Sequence, residues 1–281
     1  MAIPTSKIPA NAKPRIGLVL SCGGLRGAAH LGVLRQLNRH RIPIDVIVGV
    51  SAGAVIAGFY AAAGLTAEDM IGDAPTFRGR HVVFQGLSAR MPASFKPFLL
   101  RQAGIVPTRL AQLDAARFDQ LHHGVQRLGI VCHDVLGNRP MYFSTLRHHG
   151  VTVAQVVKGS AAVPVILPTT VVTIDGKRHH LTDGGITDSL PIAFARSEEL
   201  GATHLIVSDC RVYGRPSRED DLNSDVVSIR PDLTGIGSFR APRTTLMAAV
   251  HAGESAVTDK HINDIRAWLT NARTRLHAVG T

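Results

Sequence analysis

The stretch from residue 45 to residue 63 constrains this chain more than any other. The apolar run Val46-Ile47-Val48 leads through Gly49-Val50-Ser51-Ala52-Gly53 into an alanine-rich segment. This order reads as a buried strand over 45–50, a tight turn, and a helix over 52–63. The small residues around Ser51, with Gly49 and Gly53 at either end, permit a strained strand-to-helix turn that leaves a serine hydroxyl accessible. The same order occurs once upstream. Residues 15–21 read as a strand, Gly23-Gly24-Leu25-Arg26-Gly27 as a glycine-rich link, and Ala29, Val33, Leu34 and Leu37 mark a helix over 27–40 that Pro43 ends. Strand, helix, strand, helix with short links is the pattern of an α/β fold built on a mainly parallel sheet.

The rest of the chain extends that pattern. Residues 128–135 and 139–143 read as strands joined at Gly137-Asn138, and 153–160 as a helix. Residues 169–174 and 178–181 form a hairpin with Asp175-Gly176 as its turn. A helix is expected over 191–200, with Pro191 in its first turn. Strands follow at 203–209 and 226–230, then helices from 244 to the end. No repeat or low-complexity tract appears. The expected organisation is a flexible lead-in over 1–14 and a single catalytic domain over 15–281, with a basic, cap-like region at about 74–125.

Residues 47–65 carry no charge over 19 positions, close to membrane-spanning length. A buried strand, a turn centred on Ser51 and a buried helix account for the run better than a transmembrane segment does. Residues 1–14 hold two lysines and three prolines without a continuous apolar core, so they do not read as a secretory signal. Cys22, Cys132 and Cys210 are odd in number and far apart. They form neither a disulfide framework nor a CxxC metal pattern, which suits a reducing cytoplasm.

With 45% hydrophobic and 19% charged residues the chain can build a sizeable core. Its formal charge of +10 attracts anions of any kind. Aromatics make up 5% and show no aromatic-basic interleaving of an RNA- or DNA-binding kind, so nucleic acid is not an expected partner. Residues 74–113 lack Asp and Glu altogether. They carry Arg78, Arg80, Arg90, Lys96, Arg101 and Arg109 among Phe77, Phe84, Phe95 and Phe98. Two readings stay open: a cap with a solvated basic face, or a lid that rests peripherally on an anionic lipid surface.

A serine hydroxyl needs a base to become a nucleophile. Asp183-Gly184-Gly185 is a turn sequence by default. Beside a serine turn it also offers a carboxylate, whose ordinary pKa near 4 makes it a weak base unless burial raises it. The glycine loop lacks the spacing of a dinucleotide or P-loop motif. Backbone N–H groups before a helix hold an anion well, including the oxyanion of a tetrahedral intermediate. Gly23, Gly24, Leu25 and Arg26 are therefore the oxyanion candidates. The Arg26 side chain could otherwise hold a phosphate or shape the loop. Fourteen histidines include the pairs His122-His123, His148-His149 and His179-His180. His180 is the rival base, whereas His30 reads as a packed or capping residue. No HExxH spacing occurs; no metal or other cofactor is expected.

Taken in order, the segments Ile16–Leu20, Gly23–Leu34, Ile42–Ala54, Gly159–Pro164 and Leu181–Ile186 resemble the patatin-like phospholipase family from about residue 15 to 260. The resemblance implies a three-layer α/β/α sandwich, a Ser–Asp dyad of Ser51 and Asp183, and acyl-ester hydrolysis of phospholipids or lysophospholipids without a metal. It implies oxyanion donors around Gly23, Gly24 and Leu25, with Arg26 supporting the loop. Two positions depart from the family pattern. Cys22 replaces a glycine, with an expected disturbance of loop geometry. Asp188 replaces an asparagine, adding charge expected to raise the pKa of Asp183. The alternatives are a Ser-His-Asp esterase, an acyltransferase and a catalytically silent lipid-binding or regulatory protein. No partner protein is identifiable from the sequence.

Overall fold

The apolar runs assemble into one mixed sheet, eight-stranded among the described residues of the computed structural model, which are 14–77, 79–88, 91–212, 224–238 and 245–279. Two strands are buried along their whole length, β1 (Ile16–Leu20) and β2 (Val46–Val50). Full burial on both faces is what a central parallel strand requires, and it explains why these runs lack polar alternation. The remaining strands are β3 (Arg127–Asp134), β4 (Arg139–Ser144), β5 (Thr170–Ile174), β6 (Lys177–Asp183), β7 (His204–Ser208) and β8 (Val226–Ile229). Their order is β5-β6-β3-β2-β1-β7-β8, with β4 also on β3. The pairs among β3, β2, β1, β7 and β8 are parallel. Those joining β3 to β4, β3 to β6 and β5 to β6 are antiparallel.

Helices cover both faces, giving the α/β/α layering. Leu18, Leu20 and Ile47 point to the larger apolar cluster. There they meet α1 (Ala29–Arg39), α2 (Ala52–Ala57), α7 (Val153–Ser160), α9 (Thr245–Ala256) and α10 (Asp259–Val279). Val19, Val46, Val48 and Val50 point the other way, toward α8 (Ile192–Ala195). The charge-free stretch 47–65 is divided among β2, Ser51, α2 and a π-helical continuation, Gly58–Ala62. No helix among the described residues is long and apolar enough to cross a membrane.

Between α2 and β3 lie α3 (Ala67–Asp73), α4 (Gly79–Ser88), α5 (Lys96–Gln102) and α6 (Val106–Ala115). Thr66 and Asp69 form a capping box at the start of α3. Arg109 clamps Asp73 with both ends of its guanidinium, at 2.7 and 2.9 Å. Leu113 anchors α6 in the core, whereas no residue of α5 is buried. Arg78 and Arg90, like residues 1–13 of the expected lead-in, lie outside the described residues.

Two expectations are revised. The helix expected over 191–200 is one turn, Ile192–Ala195. Leu200 and Ala202 are fully buried and Ala202 N–H bonds to the Ala195 carbonyl, so the chain folds back under the sheet instead of extending. The hairpin strand expected to stop at residue 181 runs to Asp183, because Leu181, Thr182 and Asp183 pair with β3.

Candidate active site

Strand register brings the two candidate groups together. β4 occupies one edge of β3 over 129–134, so β2 and β6 must share the other. Val50 pairs with Val131 and Asp183 with the next residue, Cys132. The ends of β2 and β6 thus meet on successive rungs of one strand, and a two-residue difference in either would separate Ser51 from Asp183.

Ser51 follows β2 with φ 56° and ψ −121°, a left-handed backbone that costs a non-glycine residue strain. Neighbours enforce it. A side chain at Gly53 would collide with the Leu20 carbonyl, and one at Gly49 with the backbone of Gly53. The Ser51 N–H donates to Ser160 Oγ at 2.9 Å, and that hydroxyl donates to the Val131 carbonyl at 2.5 Å. Ser160, fully buried at the end of α7, therefore pins the strained turn to β3. The sequence carried no separate signal for this role, since a helix-end serine reads as solvated.

Ser51 Oγ donates to Asp183 Oδ2 at 2.6 Å. The other carboxylate oxygen accepts from the Gly185 N–H at 2.8 Å. The Asp183 N–H and the Thr182 hydroxyl both donate to the Ala162 carbonyl. Asp183 is 8% exposed. Burial holds its pKa above the usual carboxylate range, while the bonds from Ser51 and Gly185 pull it down. Gly184 lies so close to the Val131 carbonyl that no side chain fits there.

The expected influence of Asp188 is not seen. Its carboxylate accepts from the Tyr142 hydroxyl at 3.2 Å, and the rise at Asp183 traces to burial. Burial raises the pKa of Asp188 itself. Cys22 does not strain the loop either, since its φ is not positive. It packs against Gly185. Burial, with the nearby Asp183 charge, pushes its thiol up to about 11, so it stays neutral at physiological pH.

The glycine loop forms a 3-10 turn, Gly24–Ala28, ahead of α1. Gly24 has φ +57° and sits against Ser238, leaving no space for a side chain. Of the four oxyanion candidates, two have engaged N–H groups. Leu25 donates to the Ser238 carbonyl at 2.8 Å and Arg26 to the Gly23 carbonyl at 3.2 Å. No described residue accepts from the N–H of Gly23 or Gly24. The Arg26 side chain binds the carbonyls of Cys210, Leu233 and Ile236 at 3.0–3.1 Å. It ties the loop to the segments after β7 and β8, and the phosphate-holding alternative loses its donors.

No histidine among the described residues bonds to Ser51 or Asp183. His180 lies on the strand face opposite Asp183, by the period of two. His30 is fully buried between Ser208 Oγ and the Ser21 carbonyl. Burial lowers its pKa to about 4, leaving it a neutral packing residue.

Comparison with known proteins bears on the family and the fold. A family model described as patatin-like phospholipase matches residues 18–196. The patatin-like phospholipase domain-containing protein ZK370.4 of Caenorhabditis elegans is 59% identical over 46 residues, 16% of this chain and 3% of that protein. Lysophospholipase NTE1 of Mycosarcoma maydis is 56% identical over 46 residues, 16% of this chain and 2% of its own length. The chain thus spans only a small part of these curated relatives. Among solved structures, VipD from Legionella pneumophila matches with a TM-score of 0.53 and 15% identity, over 94% of this chain and 70% of that one; that likeness concerns the fold.

Proposed function

Because this chain belongs to the patatin-like phospholipase family, we propose that it hydrolyses acyl esters of phospholipids or lysophospholipids, with Ser51 as nucleophile and Asp183 as its base. The observation that carries the reading is the 2.6 Å hydrogen bond from Ser51 Oγ to Asp183 Oδ2, on a backbone strained at the serine and pinned through Ser160.

Ser51 Oγ attacks the ester carbonyl while its proton passes to Asp183 Oδ2. The raised pKa of Asp183 makes it a better proton acceptor than a solvated carboxylate. The oxyanion of the tetrahedral intermediate is met by the N–H groups of Gly23 and Gly24, the two of the four candidate donors with no acceptor among the described residues. Asp183 returns the proton to the departing alkoxide, leaving an acyl-enzyme on Ser51. A water that gives its proton to the same carboxylate then releases the fatty acid. The Gly185 N–H holds Asp183 in position through both steps.

Direct contact between serine and carboxylate leaves no place for an intervening histidine, which counts against the Ser-His-Asp alternative. The domain reading is retained as part of the proposal: one catalytic unit, with 74–125 as its cap. Within it, α5 exposes Phe98 (63%), and the residue before the helix, Phe95, is 56% exposed, beside Lys96 and Arg101 in a stretch free of acidic residues. That composition fits peripheral contact with an anionic membrane, on the cytoplasmic side.

The test is fatty-acid release from phospholipid and lysophospholipid vesicles, together with labelling by a fluorophosphonate probe. Wild type should release fatty acid and label at Ser51. Ser51→Ala should do neither. A wild-type protein that neither labels nor releases fatty acid is a silent homologue, and the proposal fails.

A further inference from the structure

Both N–H groups assigned to the oxyanion belong to peptides whose carbonyls are held from behind. A trans peptide sets its C=O and N–H on opposite sides, so fixing one fixes the direction of the other. The Gly23 carbonyl accepts from the Arg26 N–H at 3.2 Å, and that peptide carries the Gly24 N–H. The Cys22 carbonyl accepts from Ser21 Oγ at 2.9 Å, and that peptide carries the Gly23 N–H. The first bond is main chain to main chain and comes with the 3-10 turn. The second depends on a side chain, one to which the chemistry above gives no part.

Ser21 is fully buried and each of its polar atoms is engaged. Its N–H donates to the Ser208 carbonyl at 3.2 Å. Its Oγ accepts from the Cys210 N–H at 2.8 Å, which leaves the hydroxyl proton for the Cys22 carbonyl. Its own carbonyl is met by His30 Nε2 at 3.0 Å. A carbonyl only accepts, so Nε2 carries the ring proton. Nδ1 is then an acceptor, and Ser208 Oγ donates to it at 2.7 Å. The neutral ring therefore does more than fill space. It reaches back from α1 to the end of β1 and closes the glycine loop at its base.

The loop stands where the reaction takes place. Leu20 pairs with Gly49 on β2, so two residues further on Cys22 and Ser51 leave neighbouring strands at the same level. Cys22 packs against Gly185, which holds Asp183, and a side chain at Gly27 would collide with Ala52, which follows Ser51. The loop thus touches both turns of the dyad. Strand order sets the direction of its donor. β1 lies between β2 and β7, and the Cys210 N–H that anchors Ser21 Oγ follows β7. The Cys22 carbonyl is drawn to the β7 side, so the Gly23 N–H turns to the β2 side, where Ser51 stands. We infer that Ser21 is a positioning residue for ester hydrolysis: its hydroxyl aims the Gly23 N–H at the oxyanion, and His30 holds Ser21 in place. The inference rests on the chemistry proposed at Ser51. A donor that meets charge only in the transition state contributes to kcat and not to substrate binding.

Hydrolysis of p-nitrophenyl butyrate and of its thionoester counterpart, which carries C=S in place of C=O, tests it. Sulfur is the weaker hydrogen-bond acceptor, so an aimed N–H favours the oxygen ester. Ser21→Ala should lower kcat for the oxygen ester about tenfold or more, with KM within about twofold. It should lower thionoester turnover far less, so the preference for oxygen shrinks. Equal losses on both esters mark a merely structural serine and overturn the inference, as does no loss at all. The His30 variants test the support. His30→Gln keeps a donor for the Ser21 carbonyl, whereas His30→Asn keeps only an acceptor for Ser208. Glutamine should restore most of the kcat that asparagine loses; equal rates in the two overturn the role of His30. Amide resonances give a readout that does not need turnover. In Ser21→Ala the Gly23 amide should shift and the Gly24 amide, held through Arg26, should shift much less. Shifts of equal size overturn the inference. A wild type that neither hydrolyses esters nor labels, with the Gly23 shift present, rejects the chemistry at Ser51 and leaves the aiming bond standing.

Discussion

The turn at Ser51 and the helix α5 stand at opposite ends of this molecule's packing. Every residue of β2 is buried, Ser51 is 5% exposed, and the polar atoms around it are paired one to one: Ser51 N–H with Ser160, Ser160 with Val131, Ser51 Oγ with Asp183, Asp183 with Gly185. In α5 nothing is buried, and large apolar side chains stand in solvent beside cations. The first arrangement fixes geometry, as bond-making chemistry demands. The second fixes little and presents a surface, as recognition of a fluid, anionic interface demands. If both readings hold, damage to the first should abolish turnover of every ester. Damage to the second should matter only where substrate sits in a membrane.

The largest effect should come from the dyad. Ser51→Ala and Asp183→Asn should each lower kcat about a thousandfold or more on vesicle and monomeric substrates alike, without loss of fold by circular dichroism. Residual turnover near the wild-type level in Asp183→Asn would point to another base. Next comes the scaffold. In Gly53→Ala the added methyl meets the Leu20 carbonyl with no room to move, so the variant should lose about 3 kcal/mol or more of stability, read as a lower Tm, and its activity with it. An unchanged Tm would mean that the turn is looser than its contacts imply.

A smaller and more selective effect is expected from α5. Reversing Lys96 and Arg101 to Glu should weaken binding to anionic vesicles at least about tenfold, at roughly 1 kcal/mol per cation. Tm and hydrolysis of a monomeric ester should not change. Binding by the wild type should also fall as salt is raised; salt-insensitive binding to neutral and anionic vesicles alike would remove the electrostatic part of the comparison.

The smallest effects concern protons. Hydrolysis should rise with pH as Asp183 loses its proton, with a midpoint above the usual carboxylate range. Folding raises this pKa, so the native state holds the proton more tightly than the unfolded chain does. That stabilisation is complete below the unfolded value and lost as pH rises through the native one. At neutral pH the buried charge is therefore a cost, and Asp183→Asn should keep or slightly raise Tm. A clear drop in Tm at neutral pH would show that the carboxylate's hydrogen bonds outweigh its burial.

Much of the central scaffold was legible in the sequence, because parallel strands buried on both faces must be apolar throughout and glycines must stand where backbones touch. Gly49, Gly53 and Gly184 each face a backbone atom that excludes a side chain. What the sequence did not reveal depends on distant contacts. Leu25 lost its place among the free donors because Ser238, more than 200 residues away, accepts from it. The role of Ser160 arises only when α7 is laid beside β3, and β6 reaches Asp183 only because β3 outlasts β2 on their shared edge. Read in one dimension, Cys22 and Asp188 are departures expected to disturb the site. In three, one packs quietly beside Gly185 and the other is taken up by Tyr142.

The most direct test is fatty-acid release from phospholipid vesicles by wild type, Ser51→Ala and Asp183→Asn, measured together with fluorophosphonate labelling of each. The account predicts release and labelling in the wild type and neither in Ser51→Ala. In Asp183→Asn it predicts a folded protein with release lost and labelling much slowed. Release that persists in Ser51→Ala, or full activity in Asp183→Asn, would contradict it.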